Sequence, residues 1–241
     1  MQASIIGLGW ITSSGIGRGR ETDTFNIDSE PLPRITRSAV FENPYRHFGR
    51  MDDYSRIGLS TAALALKDAG LDKWRDHRNI GIIVSTVYGC LDTDMDFYKT
   101  VIPDEGRLAS PNLFAYTLPS SFLGEITTRF GLTGINFTIN ETQPMGVSSV
   151  QMAVEYVAEG DAEAMICGVC DLNSPVLWDK NLKNDAGAVL FVVGKTDDID
   201  FPSYGKLVLT PDGRIRFNKV EIETIQDLVK ACLPLSSQAG S

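Results

Sequence analysis

Several groups of residues in this chain carry the right atoms for chemistry, and their spacing limits what each can do. Cys167-Gly168-Val169-Cys170 has the C-x-x-C spacing of redox and zinc sites. The motif closes an apolar run that reads as a strand, whereas a redox thiol needs a helix N-terminus to lower its pKa. There is no second Cys/His pair to complete a zinc site. Structural cysteines are the expectation, with no metal and no cofactor. Gly7-Leu8-Gly9 and Gly15-Ile16-Gly17-Arg18-Gly19 invite a nucleotide-binding reading. The first is not closed by Gly or Ala at Thr12, and no regular helix starts directly after the second, so tight turns are the expected cause. Ser148 and Ser149 lack a G-x-S-x-G elbow, and neither histidine, His47 or His77, has an evident route to them. They are expected to pack or to bond backbone. His77 sits in the polar run 72–79, which reads as a solvated loop.

The informative stretch is 135–170. A strand runs into Glu141-Thr142-Gln143-Pro144-Met145-Gly146, then a helix, then Gly160-Asp161, then a second strand. A sharp strand-to-helix turn is where a fold can present a nucleophile to a helix N-terminus, whose dipole stabilises a thiolate. Gln143 occupies that turn, and an amide neither titrates usefully nor attacks a carbonyl.

The elements that must position this turn alternate along the chain. Strands are predicted over 3–9, 80–86, 135–140, 164–169 and 187–193. Helices are predicted from Asp52-Asp53 to a stop at Gly70, around 94–101, over 121–130 with a stop at Gly131, and over 147–158 with a stop at Gly160. Residues 12–50 read as irregular and 87–120 as a helix followed by a proline-punctuated loop. The alternation with short connections predicts a layered α/β sandwich. Residues 206–210 and 214–218, joined by Pro211-Asp212-Gly213, read as a hairpin, 221–233 as an amphipathic helix and 234–241 as a tail.

Composition narrows the function. The 241 residues are 43% hydrophobic and 22% charged, ordinary for a globular chain. The net charge of -9 argues against nucleic-acid binding and against docking on anionic membrane. No apolar window is long enough to span a bilayer. Residues 1–10 read as a strand rather than a secretory leader. Four cysteines are too few for a disulfide scaffold, so a cytoplasmic location is expected.

Several segments together resemble the N-terminal half of β-ketoacyl synthases, of the thiolase-like superfamily, over residues 4–194. Ile6-Gly7-Leu8-Gly9 is similar to the family's opening strand. Arg50-Met51-Asp52-Asp53-Tyr54-Ser55-Arg56 with residues 63–71 is similar to its "RMDRFSR…ALADAGL" helix. Residues 113–134, with Leu118-Pro119 and Arg129-Phe130-Gly131-Leu132-Thr133-Gly134, are similar to its substrate-loop and dimer-contact segment. Residues 159–168 and 185–193 match its "xGDADxxIAGG" and "GAGVLVLE" strands. The resemblance implies a thiolase-like half: a mixed, mostly parallel five-stranded sheet, in a domain of residues 1–200, followed by a hairpin, helix and tail in 201–241.

The departures from the family carry the functional reading. In the family the catalytic Cys lies some seventeen residues before the Gly of Gly-Asp, and counting back from Gly160 lands on Gln143. Thr142-Gln143-Pro144-Met145-Gly146 is similar to the "TQAGG" of chain-length factors. The family's two catalytic histidines belong to a C-terminal half that these residues do not include, and neither His47 nor His77 lies in such a motif. The resemblance therefore implies a catalytically silent, chain-length-factor-like subunit. It would pair with a full-length ketosynthase, or with itself, and meet acyl chains on acyl-carrier protein. The alternatives are a Gln-type malonyl-carrier-protein decarboxylase and a homodimeric acyl-binding protein. Phe114, Tyr116, Phe122 and Met145 are the channel candidates, and Arg34, Arg37, Arg46 and Arg50, with Arg56, are the carrier-protein docking candidates.

A packing requirement also points to a cover. In 147–158 the apolar residues Val147, Val150, Met152, Ala153, Val154, Tyr156, Val157 and Ala158 surround most of the helix. Leaving such side chains wet forgoes about 1.5–3 kcal/mol each. The C-terminal hairpin and helix, a second copy or another protein must cover them.

Overall fold

Asp52 starts the helix around which one side of the fold is organised. Its side chain accepts from the backbone N–H of Ser55 at 2.9 Å, capping α2 (Asp53–Asp68), and Gly70 ends it in the left-handed region. In the computed structural model, which describes residues 1–22, 24–27, 31–43, 45–142, 146–172, 186–195 and 203–233, α2 is buried along almost its whole length. One face lies on the sheet, and the other takes α5 (Ser121–Phe130).

Among the described residues the strands form one nine-stranded sheet. Its heart runs β4 (Asn136–Asn140), β3 (Ile80–Thr86), β5 (Ala164–Asp171), β6 (Gly187–Gly194) and β1 (Gln2–Thr12). β4, β3 and β5 are parallel, β6 runs against both its neighbours, and β1 therefore points the same way as β5. This is the mixed, mostly parallel sheet implied by the resemblance. β3 and β6 are buried at every position because helices cover both faces.

The sheet is wider than five strands. The C-terminal hairpin, β7 (Gly205–Leu209) and β8 (Ile215–Phe217), pairs with β1 through β7, and β9 (Val220–Ile222) follows β8. Further along the same edge of β1, opposite β6, β2 (Gly15–Arg18) folds back as a hairpin arm within the stretch expected to be irregular. A short helix, α1 (Arg37–Val40), and a 3-10 turn at Arg46–Arg50 also lie there. The last helix, α7 (Ile225–Cys232), starts later than residue 221. Val220–Ile222 is taken by strand pairing, and Thr224 caps the helix by accepting from the N–H of Asp227 at 3.1 Å.

Two cores flank the sheet. α2, α5 and the residues Ile6, Ile82, Ile166 and Leu190 build one. α6 (Val147–Glu159), α7 and the residues Ile5, Leu8, Ile83, Cys167 and Phe191 build the other. A bulge between Ile5 and Gly7 lets Ile5 and Leu8 face the same core. The glycines of Gly7-Leu8-Gly9 are mid-strand, not in turns. A Cβ on Gly7 would collide with the α2 backbone at Ala65, and one on Gly9 would lie 2.6 Å from the Ala65 nitrogen. They let α2 sit directly on β1. α6 is covered from within the chain. Val150, Ala153, Val154 and Val157 are buried among β-strand residues and α7's Ile225, Leu228 and Val229. The Gln151 amide donates to the carbonyl of Gly213 in the hairpin at 2.5 Å.

Candidate active site at the corner between β4 and α6

The carboxyl ends of β4, β3 and β5 lie together, and the chain turns there from β4 into α6. Glu141 directly follows β4. Its N–H donates to the carbonyl of Thr86 at 2.8 Å, and its carboxylate bridges two elements. The Ser85 hydroxyl donates to Oε1 at 2.9 Å, and the Gly146 N–H donates to Oε2 at 2.9 Å. Glu141 thus ties the end of β3 to the start of α6. Gly146, the residue before α6, has φ 68. A Cβ there would run into Val169 of β5 and come within 2.5 Å of Ile225 of α7, so only glycine fits. The Ser149 hydroxyl lies 2.8 Å from the Gly146 carbonyl and 3.0 Å from that of Gly168, a backbone-bonding role as expected.

A second buried carboxylate shapes the neighbouring loop. Asp171, at the end of β5, accepts from the N–H groups of Val87, Tyr88 and Gly89 at 2.8, 2.9 and 3.0 Å and from the Thr86 hydroxyl at 2.8 Å. Burial pushes its pKa up, and these donors pull it back down. Neither Glu141 nor Asp171 was singled out in the sequence. The available signal was an acidic residue at each strand end beside a turn.

Gln143 and Met145 lie outside the described residues. All four cysteines are free and buried. Cys167 and Cys170 stand in the middle and at the end of β5, with their thiols pushed up by burial, and Cys232 in α7 is pushed up the same way. Cys90, just before α3 (Leu91–Val101), is pushed up to about 12 by burial and by Asp94. None has the exposed, electropositive surroundings of a reactive thiol. His47 Nδ1 is 3.2 Å from Glu125 on α5, and the His77 ring lies 5.3 Å from Trp74. Both are on other elements than the β4–α6 corner.

The aromatic candidates are spread out. Phe114, on the short α4 (Pro111–Phe114), is 64% exposed, with its ring 5.4 Å from Phe97. Tyr116 is buried and donates to Glu125 at 3.4 Å. Phe122 is fully buried, edge-on to Tyr54 at 5.3 Å, so within this chain it is core packing. Arg34, Arg37, Arg46 and Arg50 are exposed. Arg34 and Arg56 line one cleft of about 590 Å³ with Leu32, Ile35 and Phe48, and Arg56 is held by Asp53 at 2.9 Å.

The family model for the β-ketoacyl synthase N-terminal domain matches residues 35–179, more than half of the chain. The chain belongs to the β-ketoacyl synthase family. A putative polyketide β-ketoacyl synthase 1 from Streptomyces virginiae is 33% identical over 131 residues, covering 51% of this chain and 30% of that protein. The chain spans less than half the length of the curated relatives it matches. A chain in the complex of a type II polyketide acyl-carrier protein with its ketosynthase bound to the hexaketide has the same fold (TM-score 0.70, 19% identity, 86% of this chain and 67% of that one). So does a chain in the complex of a ketosynthase with its chain length factor from Xenorhabdus doucetiae (TM-score 0.55, 16% identity, 81% of this chain and 79% of that one). Among the described residues of this family member, no helix is long and apolar enough to cross a membrane.

Proposed function

We propose that this chain is a catalytically silent, chain-length-factor-like subunit that pairs with an active β-ketoacyl synthase in fatty-acid or polyketide-type chain elongation. Gln143 at the family's nucleophile position is the observation that carries the reading. The four cysteines are buried with their thiols pushed up, and neither histidine is on the corner's elements, which supports the reading. The partner would supply the thiol and the histidines, and this chain would help shape the acyl tunnel. The likeness in fold to a chain of the complex between a ketosynthase and its chain length factor from Xenorhabdus doucetiae supports this role.

The surface offers a place for the partner. β4 is the last strand of the sheet and hydrogen-bonds on one side only among the described residues. An open strand edge is a ready pairing site. Tyr98, Ile102, Leu108, Phe114 and Leu118, on and after α3, are all exposed apolar side chains. We assign these features to the ketosynthase contact, and keep Phe114, Tyr116, Phe122 and Met145 as the acyl-channel candidates. Arg34, Arg37, Arg46 and Arg50 are assigned to carrier-protein docking.

Co-expression with a β-ketoacyl synthase of the same genome tests the reading. The expected result is a stable heterodimer in which elongation is lost when the partner's thiol is removed and retained in Gln143→Ala. Steady acetyl formation from malonyl-carrier protein by this chain alone, lost in Gln143→Ala, would overturn it in favour of the decarboxylase. A lone homodimer that ignores the ketosynthase would overturn it in favour of an acyl-binding protein.

A further inference from the structure

A thiolate or an enolate oxygen at this corner would draw on the positive end of the α6 dipole, which carries roughly half an elementary charge. That end already has an anion. The Gly146 N–H at the start of α6 donates to Glu141, whose other oxygen is fixed by Ser85, so the carboxylate is anchored from two elements. The opposite flank is sealed, because Val169 and Ile225 lie where a Gly146 side chain would be. Asp171, on the adjoining strand end, has its own four donors in residues 86–89 and takes none from α6.

We propose that Glu141 is a built-in counter-anion at the N-terminus of α6, occupying the electrostatic seat that a reactive thiolate or enolate would need. This rests on the reading of the corner as a vacated nucleophile site, and it makes Glu141 a positioning residue rather than a catalytic one. It fixes the β3–β4–α6 corner as a shape and disfavours any second negative charge there. The corner is thereby suited to a neutral acyl chain or thioester passing from a partner, and unsuited to stabilising the anion formed in decarboxylation.

A thiol placed in the first turn of α6 reads this field directly. Ser148, in the first turn of α6, is half-buried, so Ser148→Cys is the probe. The native cysteines give little background, being buried with their thiols pushed up. The thiolate is followed by ultraviolet absorbance against pH, with the parent protein subtracted. Adding Glu141→Gln, which keeps the shape of the side chain and one acceptor oxygen for the Gly146 N–H while its NH2 can donate to the rotatable Ser85 hydroxyl, is expected to lower the probe's pKa by about one unit. A drop of less than about half a unit, or a rise, overturns the proposal. Should the double variant fail to fold, the single variant decides. A probe pKa at or above about 8.5 supports the counter-anion, and a lower value overturns it. Failure here leaves heterodimer formation untouched, so it is distinguishable from failure of the functional reading.

Discussion

Ile225, in the C-terminal helix, packs against Gly146, the residue that opens α6. The contact joins the last described helix to the β4–α6 corner. It couples the C-terminal segment to the site by packing alone. Ile225→Ala is expected to destabilise the fold by about 2–4 kcal/mol in urea unfolding. Gly146→Ala adds left-handed backbone strain of about 1–2 kcal/mol to an overlap with Val169 and Ile225. It is expected to be the more damaging of the two.

The buried cysteines give a test of the proposed catalytic silence. In the native protein none of the four is expected to react with iodoacetamide at neutral pH over hours, and all four are expected to react in urea. Fast labelling of one native thiol, identified by peptide mass, would reveal a nucleophile that the burial pattern denies.

Asp171 gives stability a pH dependence of definite sign. Burial raises its carboxyl above the ordinary 3.8, opposed by the N–H groups of Tyr88, Gly89 and Val87 and the hydroxyl of Thr86. The folded chain therefore holds the proton more tightly than the unfolded one. The stability from this difference is full below 3.8 and is lost as the pH rises through the folded value. The stability margin of the parent protein over Asp171→Asn is expected to shrink as the pH climbs through that window. Urea unfolding at a series of pH values measures it, and a margin that grows with pH contradicts it.

Asp68 ties three segments together at the end of α2. It accepts from the Leu8 N–H at 2.9 Å and the Tyr204 hydroxyl at 2.7 Å, and pairs with Arg20 at 3.1 Å. Its side chain is fully buried, so each donor matters. Tyr204→Phe is expected to cost about 1.5–3 kcal/mol, the range for a hydrogen bond to a charged group. Differential scanning calorimetry would register it as a lower Tm without loss of the fold.

The partner surface is open to direct test. Phe114→Ser and Leu118→Ser remove exposed apolar side chains, so the isolated chain is expected to keep its stability within about 0.5 kcal/mol. Affinity for the co-expressed ketosynthase is expected to fall about tenfold or more, a loss of about 1.4 kcal/mol. Unchanged affinity in surface plasmon resonance would move the interface elsewhere.

Much of the fold was legible because its signals are local. The β-branched run of β3, the Asp52 cap and the Gly70, Gly131 and Gly160 stops follow from rules that act within one helix or strand. β2 escaped notice because Gly15–Arg18 has no strand composition of its own and pairs only because β1 lies beside it. The start of α7 was misread because Val220–Ile222 is drawn into pairing with β8. Gly7 and Gly9 resembled turn residues because nothing local announces a helix pressed onto a strand. At the β4–α6 corner, the roles of Glu141 and Asp171 were not legible. A carboxylate's partners 56 or 85 residues away leave no periodicity to read.

By itself the sequence determined which groups the chain has to offer: an amide at position 143, two histidines, four cysteines, and alternating elements that had to form a layered sandwich. Only the tertiary structure decided what surrounds them. It brought Ser85 and Gly146 to the two oxygens of Glu141, set Ile225 against the corner, and buried every thiol. The physical reason is range. Propensity, capping and side-chain periodicity act over a few residues, whereas hydrogen-bond satisfaction and exclusion of water depend on segments that meet only when the sheet is assembled.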